Sequence, residues 1–246
     1  MLKNSEISLS LIVPVYDEEY DIAPCLEAMV RKLQDLLFKR KLADYELLVF
    51  SSYGKFINLP FYFIGNKKIK FFERGKINKI GNMFARGIRL ASSEYVGLLS
   101  PYNQVQLDVL EDILKALSTH NMVVAYIGNP SVRPWHRGVA SEFNNKIVNW
   151  LFGLNLRYYH LNFYRTAAVK KVKTTTDSHA ALVEAAVWLA KSGANIAQVP
   201  FVMVPHNFKS KSRAFALDNV KCIFKTYIRL FWKIMVLRKR IDLRGG

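Results

Sequence analysis

The chain has 246 residues, of which 51% are hydrophobic and 22% are charged. This composition excludes a disordered or low-complexity protein, and the length suits one full-sized domain with a proper core. The charge is strongly unbalanced, because 36 lysines and arginines against 19 acidic residues give a formal net charge of +17. A surface of this charge attracts polyanions, so nucleic acid, an anionic membrane and phosphorylated ligands are all candidate partners.

The cysteine content and the apolar runs bear on the compartment. Cys25 and Cys222 are the only cysteines, too few for a disulfide framework, which favours a reducing compartment. The sequence shows no signal-peptide pattern and no run of about 18 uncharged apolar residues. The nearest candidate, residues 228–237, is interrupted by Arg229 and Lys233. We therefore predict a chain that does not span a membrane.

Hydrophobic periodicity predicts alternating strands and helices along the chain. Short apolar, β-prone runs predict strands at residues 7–15, 45–50, 61–64, 69–72, 95–99, 122–127, 161–164 and 196–204. Apolar residues at spacings of three and four predict helices at residues 21–41, 78–91, 105–117, 139–152, 178–191 and 217–240. Neither an internal repeat nor a flexible linker is evident. We assign residues 1–216 to one domain and 217–246 to a basic amphipathic C-terminal helix and tail.

The order of these elements indicates the fold class. The N-terminal half alternates strand and helix, which predicts an α/β fold with a mixed, mostly parallel sheet flanked by helices. Ligands of such sheets bind at the carboxyl ends of the strands. The predicted ends here are residues 14–19, 51–55 and 100–104, and candidate site residues are expected among them.

Several segments resemble the family 2 glycosyltransferases. The run LIVPVYDEE at residues 11–19 is similar to the family's opening strand, which usually ends V-P-x-Y-N-E-E. Residues 78–88 and 93–96 follow the pattern of its second helix and the next strand. Within that family, the dolichol- and polyprenyl-phosphate sugar transferases are resembled most closely, at residues 149–154, 163–165 and 193–204.

This resemblance implies a GT-A fold, also called nucleotide-diphospho-sugar transferase-like, with a nucleotide-sugar lying across the strand ends. It also implies a divalent metal, held by a D-x-D motif, and a lipid phosphate as acceptor. The nucleotide-binding candidates are then Pro14, Tyr16, Glu18 and Ser51. A purely structural alternative stays open, in which Pro14 ends a strand and the acidic residues 17–19 favour the positive N-terminus of the next helix.

The chain departs from the family pattern where the metal would bind. In place of D-x-D-x-Q it has Ser100, Pro101, Tyr102, Asn103 and Gln104, so that only Gln104 matches. The family's V-D-D-G-S similarly reads FSSYG at residues 50–54. Mg²⁺ and Mn²⁺ normally take protein carboxylates, and stabilisation of the leaving group is often a large part of catalysis. We therefore expect no metal cofactor and a catalytically impaired pseudoenzyme.

An active, metal-independent transferase is the alternative. A lipid phosphate is already an anionic nucleophile, so its reaction needs no general base. Lys209, Lys211 and Arg213 are the candidate phosphate-binding residues that would hold the diphosphate. Asp108, Glu111 and Asp112 follow the motif as possible substitute metal ligands, but the solvated first turns of a helix explain them better.

The predicted C-terminal helix carries a basic stripe. Its residues Lys221, Lys225, Arg229 and Lys233 recur every four positions, beside apolar and aromatic side chains. Such a helix suits an anionic membrane surface, and a helix packed on the domain with solvated lysines is the alternative. We expect a peripheral protein on the cytoplasmic face of a membrane. Its expected role is that of a binding partner for an active transferase or a membrane protein. A nucleic-acid partner is disfavoured, because the chain shows no RNA- or DNA-binding motif.

Overall fold

The strands form one mixed sheet. The computed structural model describes residues 7–15, 21–52, 63, 65–72, 79–102, 105–157, 161–204 and 217–243, with the backbone alone at 217–221. Its strands are β1 (Ser8–Val15), β2 (Asp44–Ser51), β3 (Ile69–Phe72), β4 (Tyr95–Leu98), β5 (Met122–Ile127), β6 (Asn162–Arg165) and β7 (Ile196–Phe201). Their order in the sheet is β3-β2-β1-β4-β6-β5-β7. Only β6 runs antiparallel to its neighbours within this described sheet.

Helices connect the strands and cover the sheet. They are α1 (Ala23–Phe38), α2 (Ile80–Leu90), α3 (Val109–Leu117), α4 (Trp135–Phe152), α5 (Thr166–Val169), α6 (Ala180–Lys191) and α7 (Leu217–Phe231). A 3₁₀ turn (Pro130–Val132) precedes α4, and a π-helical turn (Trp232–Val236) continues α7. α4 ends at Gly153, whose φ of 57° lies in the left-handed region that favours glycine at a helix C-terminus.

The core lies on both faces of the sheet. On one face Leu9, Leu11 and Val13 of β1 pack with α1 and α3. On the other face Ile12 packs in a second cluster with α2, α6 and α7. Because a central parallel strand is covered on both sides, β1 is continuously apolar over residues 11–15 instead of alternating there. This is the physical reason why the run at the start of the chain identifies a buried strand.

The predicted α/β class with a mostly parallel sheet flanked by helices is confirmed. The predicted helix at 105–117 begins later, at Val109, because Val105 pairs with Met203 in an antiparallel bridge. The strand predicted at 61–64 lies outside the described residues except for Phe63. The C-terminal helix stops before residue 240, since Arg238 adopts a left-handed φ of 51° and the Arg240 guanidinium donates a hydrogen bond to the Ile234 carbonyl.

α7 packs on the rest of the fold. Tyr227, Leu230 and Ile234 are buried in the same core cluster as α2 and α6. The division at residue 217 stays a prediction, and this packing gives the helix a structural role in addition to any surface role. Of the helices that the structure describes, none has the length and apolar character needed to cross a bilayer.

Candidate functional site at the carboxyl edge of the sheet

Three strand ends meet at one edge of the sheet. The last residue of β1, Val15, is paired with Ser51 of β2, and the Ser52 amide donates a hydrogen bond to the Val15 carbonyl at 3.0 Å. On the other side of β1, the Leu99 amide after β4 donates to the Ile12 carbonyl at 2.9 Å. Because β6 is antiparallel, it begins at this same edge with Asn162. We call this region the carboxyl edge.

The predicted nucleotide-binding residues are placed here in part. Pro14 is buried in β1 opposite Phe50, and Ser51 follows one position further along the same pair of strands. Tyr16 and Glu18 lie outside the described residues, as does Gln104. The structure therefore brings Pro14 and Ser51 together, as expected from the parallel pairing, and their role in nucleotide binding stays a prediction.

Two polar atoms at the carboxyl edge were not recognised from the sequence. Ser52 Oγ and Asn162 Oδ1 are buried and have no hydrogen-bond partner among the residues that the structure describes. A buried polar atom without a partner is costly, so each such atom calls for an explanation, such as a ligand or water. A third, Thr166 Oγ1, lies at the opposite end of β6. No sequence signal marks these atoms, because their burial and lack of partners arise only from packing.

The turn after β4 contains the residues that replace the D-x-D motif. Ser100 is half-buried, Pro101 is buried, and Tyr102 is 3% exposed. The side chains of this turn therefore offer a ligand the Ser100 hydroxyl and no carboxylate. Burial of the Tyr102 ring also explains why a large apolar residue is stable at this position.

The segment that carries the predicted phosphate-binding residues leaves from the same edge. Lys209, Lys211 and Arg213 lie outside the described residues, and the chain reaches them through Val204. Just before that point, the Asn129 side chain holds Met203: its Oδ1 accepts from the Met203 amide at 2.8 Å and its Nδ2 donates to the Met203 carbonyl at 2.9 Å. The Gln106 amide also donates to the Val202 carbonyl at 3.2 Å.

A loop before α6 closes against the start of α2. The Gly81 amide donates to the Asp177 carbonyl at 2.9 Å, and Lys79 forms an ion pair with the Asp177 carboxylate at 2.8 Å. A Cβ on Gly81 would lie 2.5 Å from the Asp177 carbonyl carbon, so this contact requires glycine. The same loop meets α7, since Thr176 Oγ1 is 3.3 Å from the Cys222 sulfur.

Glu184 of α6 is a buried carboxylate that sequence reasoning missed. It is fully enclosed, and its oxygens accept hydrogen bonds from the Thr175 amide at 2.7 Å and the Thr175 hydroxyl at 3.0 Å. Burial raises the pKa of this carboxyl, while Thr175, Lys233 and Arg229 partly offset the effect. The available signal was a lone acid within an alanine-rich helix.

Three of the four predicted membrane-binding residues have described side chains, on α7 and the π-helical turn that follows it. Lys225 and Arg229 are exposed and Lys233 is half-buried, whereas the Lys221 side chain falls outside the described part. Because Arg229 and Lys233 also stabilise the ionised form of Glu184, part of the basic stripe has an internal electrostatic role.

Asp108 and Glu111, at the start of α3, form ion pairs with lysines. Lys32 of α1 lies 2.6 Å from Asp108 and 2.9 Å from Glu111, and Lys41 also pairs with Glu111. Hydrogen bonds from Lys41 and Lys32 lower the pKa of Glu111 to about 2. These acids therefore join α1 to the start of α3, and among the described residues they belong to no group of three side chains that could hold a metal.

The sheet order, the single antiparallel strand and the helical layers on both faces define a GT-A-type fold, the fold of nucleotide-sugar glycosyltransferases. Neither a family model nor a curated protein matches the sequence. Solved structures do match, among them glucosyl-3-phosphoglycerate synthase from Mycobacterium tuberculosis with Mn²⁺, UDP and phosphoglyceric acid, which has a TM-score of 0.60 at 15% identity over 93% of this chain and 78% of that one. The same synthase with Mg²⁺ and UDP gives 0.59 at 14% identity, covering 93% and 79%.

A further mycobacterial protein has a TM-score of 0.63 at 15% identity, covering 94% of this chain and 75% of that one. At such identities the likeness establishes the fold alone. The GT-A fold expected from the resemblance is therefore confirmed, whereas the closer likeness to polyprenyl-phosphate sugar transferases stays a prediction.

These complexes correct the expectation that no metal cofactor is used. The similar structures hold Mn²⁺ or Mg²⁺ together with UDP. They favour a divalent metal cofactor over the expected absence of one. The expectation was wrong because it rested on one lost motif, whereas a cation also takes ligands from substrate phosphates, water and other residues. In the described residues no three His, Cys, Asp or Glu side chains are grouped to hold a metal. A site built on three such ligands needs the remaining segments, which include Asp17, Glu18 and His206.

Proposed function

We propose that this protein binds a nucleotide-sugar at the carboxyl edge and that its ability to transfer the sugar is impaired. The observation that carries this proposal is the turn after β4, where Ser100, Pro101 and the buried Tyr102 replace acidic residues. The fold supports nucleotide-sugar binding, because the solved structures that share it hold UDP. The turn supports impairment, because it provides no carboxylate.

The uncharged polar atoms at this edge suit recognition of a nucleotide. Ser52 Oγ and Asn162 Oδ1 lack partners, and a base, ribose or sugar carries the hydroxyl and amide groups that would satisfy them. Transfer of the sugar requires more than these hydrogen bonds, because negative charge develops on the departing nucleoside diphosphate and must be stabilised. A divalent cation that finds no carboxylate on the β4 turn has fewer protein ligands, which weakens its binding. We therefore expect cation-dependent nucleotide binding with slow or absent transfer.

We also propose that the protein acts at the cytoplasmic face of an anionic membrane, as a binding partner of an active transferase or a membrane protein. Exposed Lys225 and Arg229 on α7 support this location. A lysine or arginine close to an anionic leaflet contributes about 1 kcal/mol to membrane binding. The net charge of +17 acts in the same direction.

A second candidate is active sugar transfer to a lipid phosphate in the presence of a divalent cation. It is favoured by the position of α7, whose Cys222 contacts the loop that closes on α2 at the carboxyl edge. A helix that binds lipid there would bring a lipid phosphate close to the strand ends. The acceptor is already anionic, so the reaction would need no general base.

Calorimetry with UDP, GDP and their sugar conjugates, with and without Mn²⁺, tests the main proposal. We expect cation-dependent binding and no sugar transfer to polyprenyl phosphate in the same buffer. Ser52→Ala should weaken binding roughly 2–10-fold, the value of one hydrogen bond. Ser118→Ala, at an exposed serine beyond α3, is the matched control and should change nothing.

The other outcomes separate the two candidates. Efficient cation-dependent transfer would remove the claim of impairment and establish the second candidate. Absence of nucleotide binding under every condition would refute both. Equal effects of the two serine variants would show that the carboxyl edge is not the binding site.

A further inference from the structure

α4 has apolar residues on two opposite faces. Val148 and Phe152 point inward and are buried in the core. On the outward side Trp135, Val139, Phe143 and Trp150 recur at spacings of four, four and seven, which places them on one face of the helix. The two tryptophans are 79% and 82% exposed. A surface helix ordinarily has one apolar face, so the outward face of α4 requires an explanation.

α7 packs beside α4 and has exposed apolar residues of its own. The Tyr227 hydroxyl donates to Asn144 Oδ1 of α4 at 2.9 Å, and the rings of Phe231 and Phe152 have centroids 6.3 Å apart. Tyr227 and Phe231 therefore mark the side of α7 that meets α4. Ile228 and Trp232 each follow one residue later, about 100° further round the helix, and both are exposed. We use the name outward apolar face for the exposed apolar residues of these two neighbouring helices, which are Trp135, Val139, Phe143, Trp150, Ile228 and Trp232.

The charges beside this face are mainly positive. Lys225 and Arg229 lie further round α7, and Arg238 and Lys239 are exposed just after it. The acid described on α4, Glu142, is paired with Lys146 at 3.6 Å, and because these residues are seven positions after Trp135 and Val139, the pair lies on the outward side of α4 itself. An apolar, tryptophan-rich surface bordered by lysine and arginine matches the interface of an anionic bilayer, where indole rings lie at headgroup level and cations meet lipid phosphates.

The connections of α4 link the outward apolar face to the carboxyl edge. β5 runs toward this edge and ends at Ile127, and antiparallel β6 starts from it at Asn162. Both connections of α4 therefore leave from the edge at which a nucleotide-sugar is proposed to bind. A membrane docked on this face would lie against a helix whose two connections both reach the carboxyl edge.

We infer that the outward apolar face inserts into the interfacial layer of an anionic membrane, with α4 as the principal inserting helix. The inference deepens the membrane location proposed above and rests on it. It assigns the two contributions to different residues: the apolar face anchors the protein, and the lysines of α7 attract it to the surface.

The tryptophans make this inference directly measurable. Three of the four in the chain lie on the outward apolar face, and the fourth, Trp188, is buried. Vesicles of phosphatidylglycerol and phosphatidylcholine should shift the tryptophan emission of the full chain to the blue, and brominated lipids should quench it. Vesicles of phosphatidylcholine alone should bind at least tenfold more weakly.

Three variants separate the contributions. Val139→Ser/Phe143→Ser/Ile228→Ser keeps every tryptophan and should weaken vesicle binding at least tenfold. The matched control Phe38→Ser, at an 88% exposed phenylalanine of α1, should bind as the original protein does. Lys221→Gln/Lys225→Gln should lower affinity at low salt while the bound protein keeps its blue-shifted emission.

Each other outcome overturns a defined claim. If the triple variant binds normally while the lysine variant does not, the protein is held by charge alone and the insertion is refuted. If the original chain binds no vesicles, the proposed membrane location itself fails. If the chain is a dimer whose tryptophans are shielded from acrylamide without lipid, and the triple variant is monomeric, the face is a protein interface and the inference is wrong.

Discussion

Gly97 lies at the centre of the sheet, where an added methyl group has no space. In β4 it is opposite Phe163 of antiparallel β6. A Cβ on Gly97 would lie 2.3 and 2.4 Å from two carbons of the Phe163 ring, whereas carbon atoms in favourable contact are about 3.5–4.0 Å apart. Phe163 is completely buried, so its ring cannot move aside without disturbing its neighbours. Gly97→Ala should therefore destabilise the protein.

The expected size follows from two opposing effects. Overpacking a core costs about 1–3 kcal/mol, and alanine returns about 0.4–1 kcal/mol by restricting the unfolded chain. The net loss is then about 1–2 kcal/mol. For a chain of this length each kcal/mol lowers the melting temperature by about 2–4 °C, so we expect a fall of roughly 2–8 °C.

Urea and thermal unfolding of purified variants measure this loss. Gly138→Ala is the matched control, because no atom lies within 4 Å of its Cβ position and the residue is inside α4; it should stabilise the protein by about 0.5–1 kcal/mol. Gly97→Ala combined with Phe163→Leu should recover part of the lost stability, since it shortens the opposing side chain. A Gly97→Ala protein as stable as the original would refute the argument from packing.

Three further changes test the charges and contacts described above. Glu111→Gln should cost about 1 kcal/mol at pH 7, allowing for solvent screening; because the pKa of Glu111 is lowered from 4.5 to about 2, the loss should fade as urea titrations move from pH 4.5 toward pH 2. Glu184→Gln should behave oppositely. Because the pKa of Glu184 is raised above 4.5, ionisation of this carboxyl destabilises the folded state, so the variant, whose amide oxygen can still accept from the Thr175 amide, should gain stability relative to the original as the pH rises above 4.5. An unchanged pH profile would contradict this. Tyr227→Phe removes the hydrogen bond to Asn144 and should cost about 1 kcal/mol in thermal unfolding, with Tyr45→Phe as a control tyrosine.

Local sequence patterns identified most strands and helices because burial leaves a periodic trace. β1 is continuously apolar from Leu11 to Val15, as expected for a strand covered on both faces, whereas Ser8 and Ser10 alternate with leucine at its start. The end of α7 was misplaced because the basic residues continue past it, whereas the helix is ended by the left-handed Arg238. The composition of this segment does not predict such a change in backbone conformation. The change depends on how residues 237–243 pack on the rest of the fold.

The candidate site was predictable only where consecutive residues carry it. The closeness of Pro14 and Ser51 could be predicted, because they lie at the ends of two recognisable strands that pair in parallel. The unpaired buried atoms of Ser52 and Asn162 could not be predicted from the sequence. Asn162, for example, lies at this edge only because β6 runs antiparallel to its neighbours. The expected lack of a metal cofactor was wrong for a related reason: the absence of one local motif does not describe ligands that substrate and distant residues supply.

By itself, the sequence determined the α/β class, the strand ends where ligands are expected, the loss of acidic residues at 100–102 and the excess of positive charge. These properties depend on residue type and short-range periodicity. The tertiary structure alone decided which strands are neighbours, that Glu184 is buried between Thr175 and the cations of α7, and which face of α4 is turned outward. A helix with two apolar faces does not reveal in its sequence which of them is covered, because that choice is made by the surfaces that pack against it.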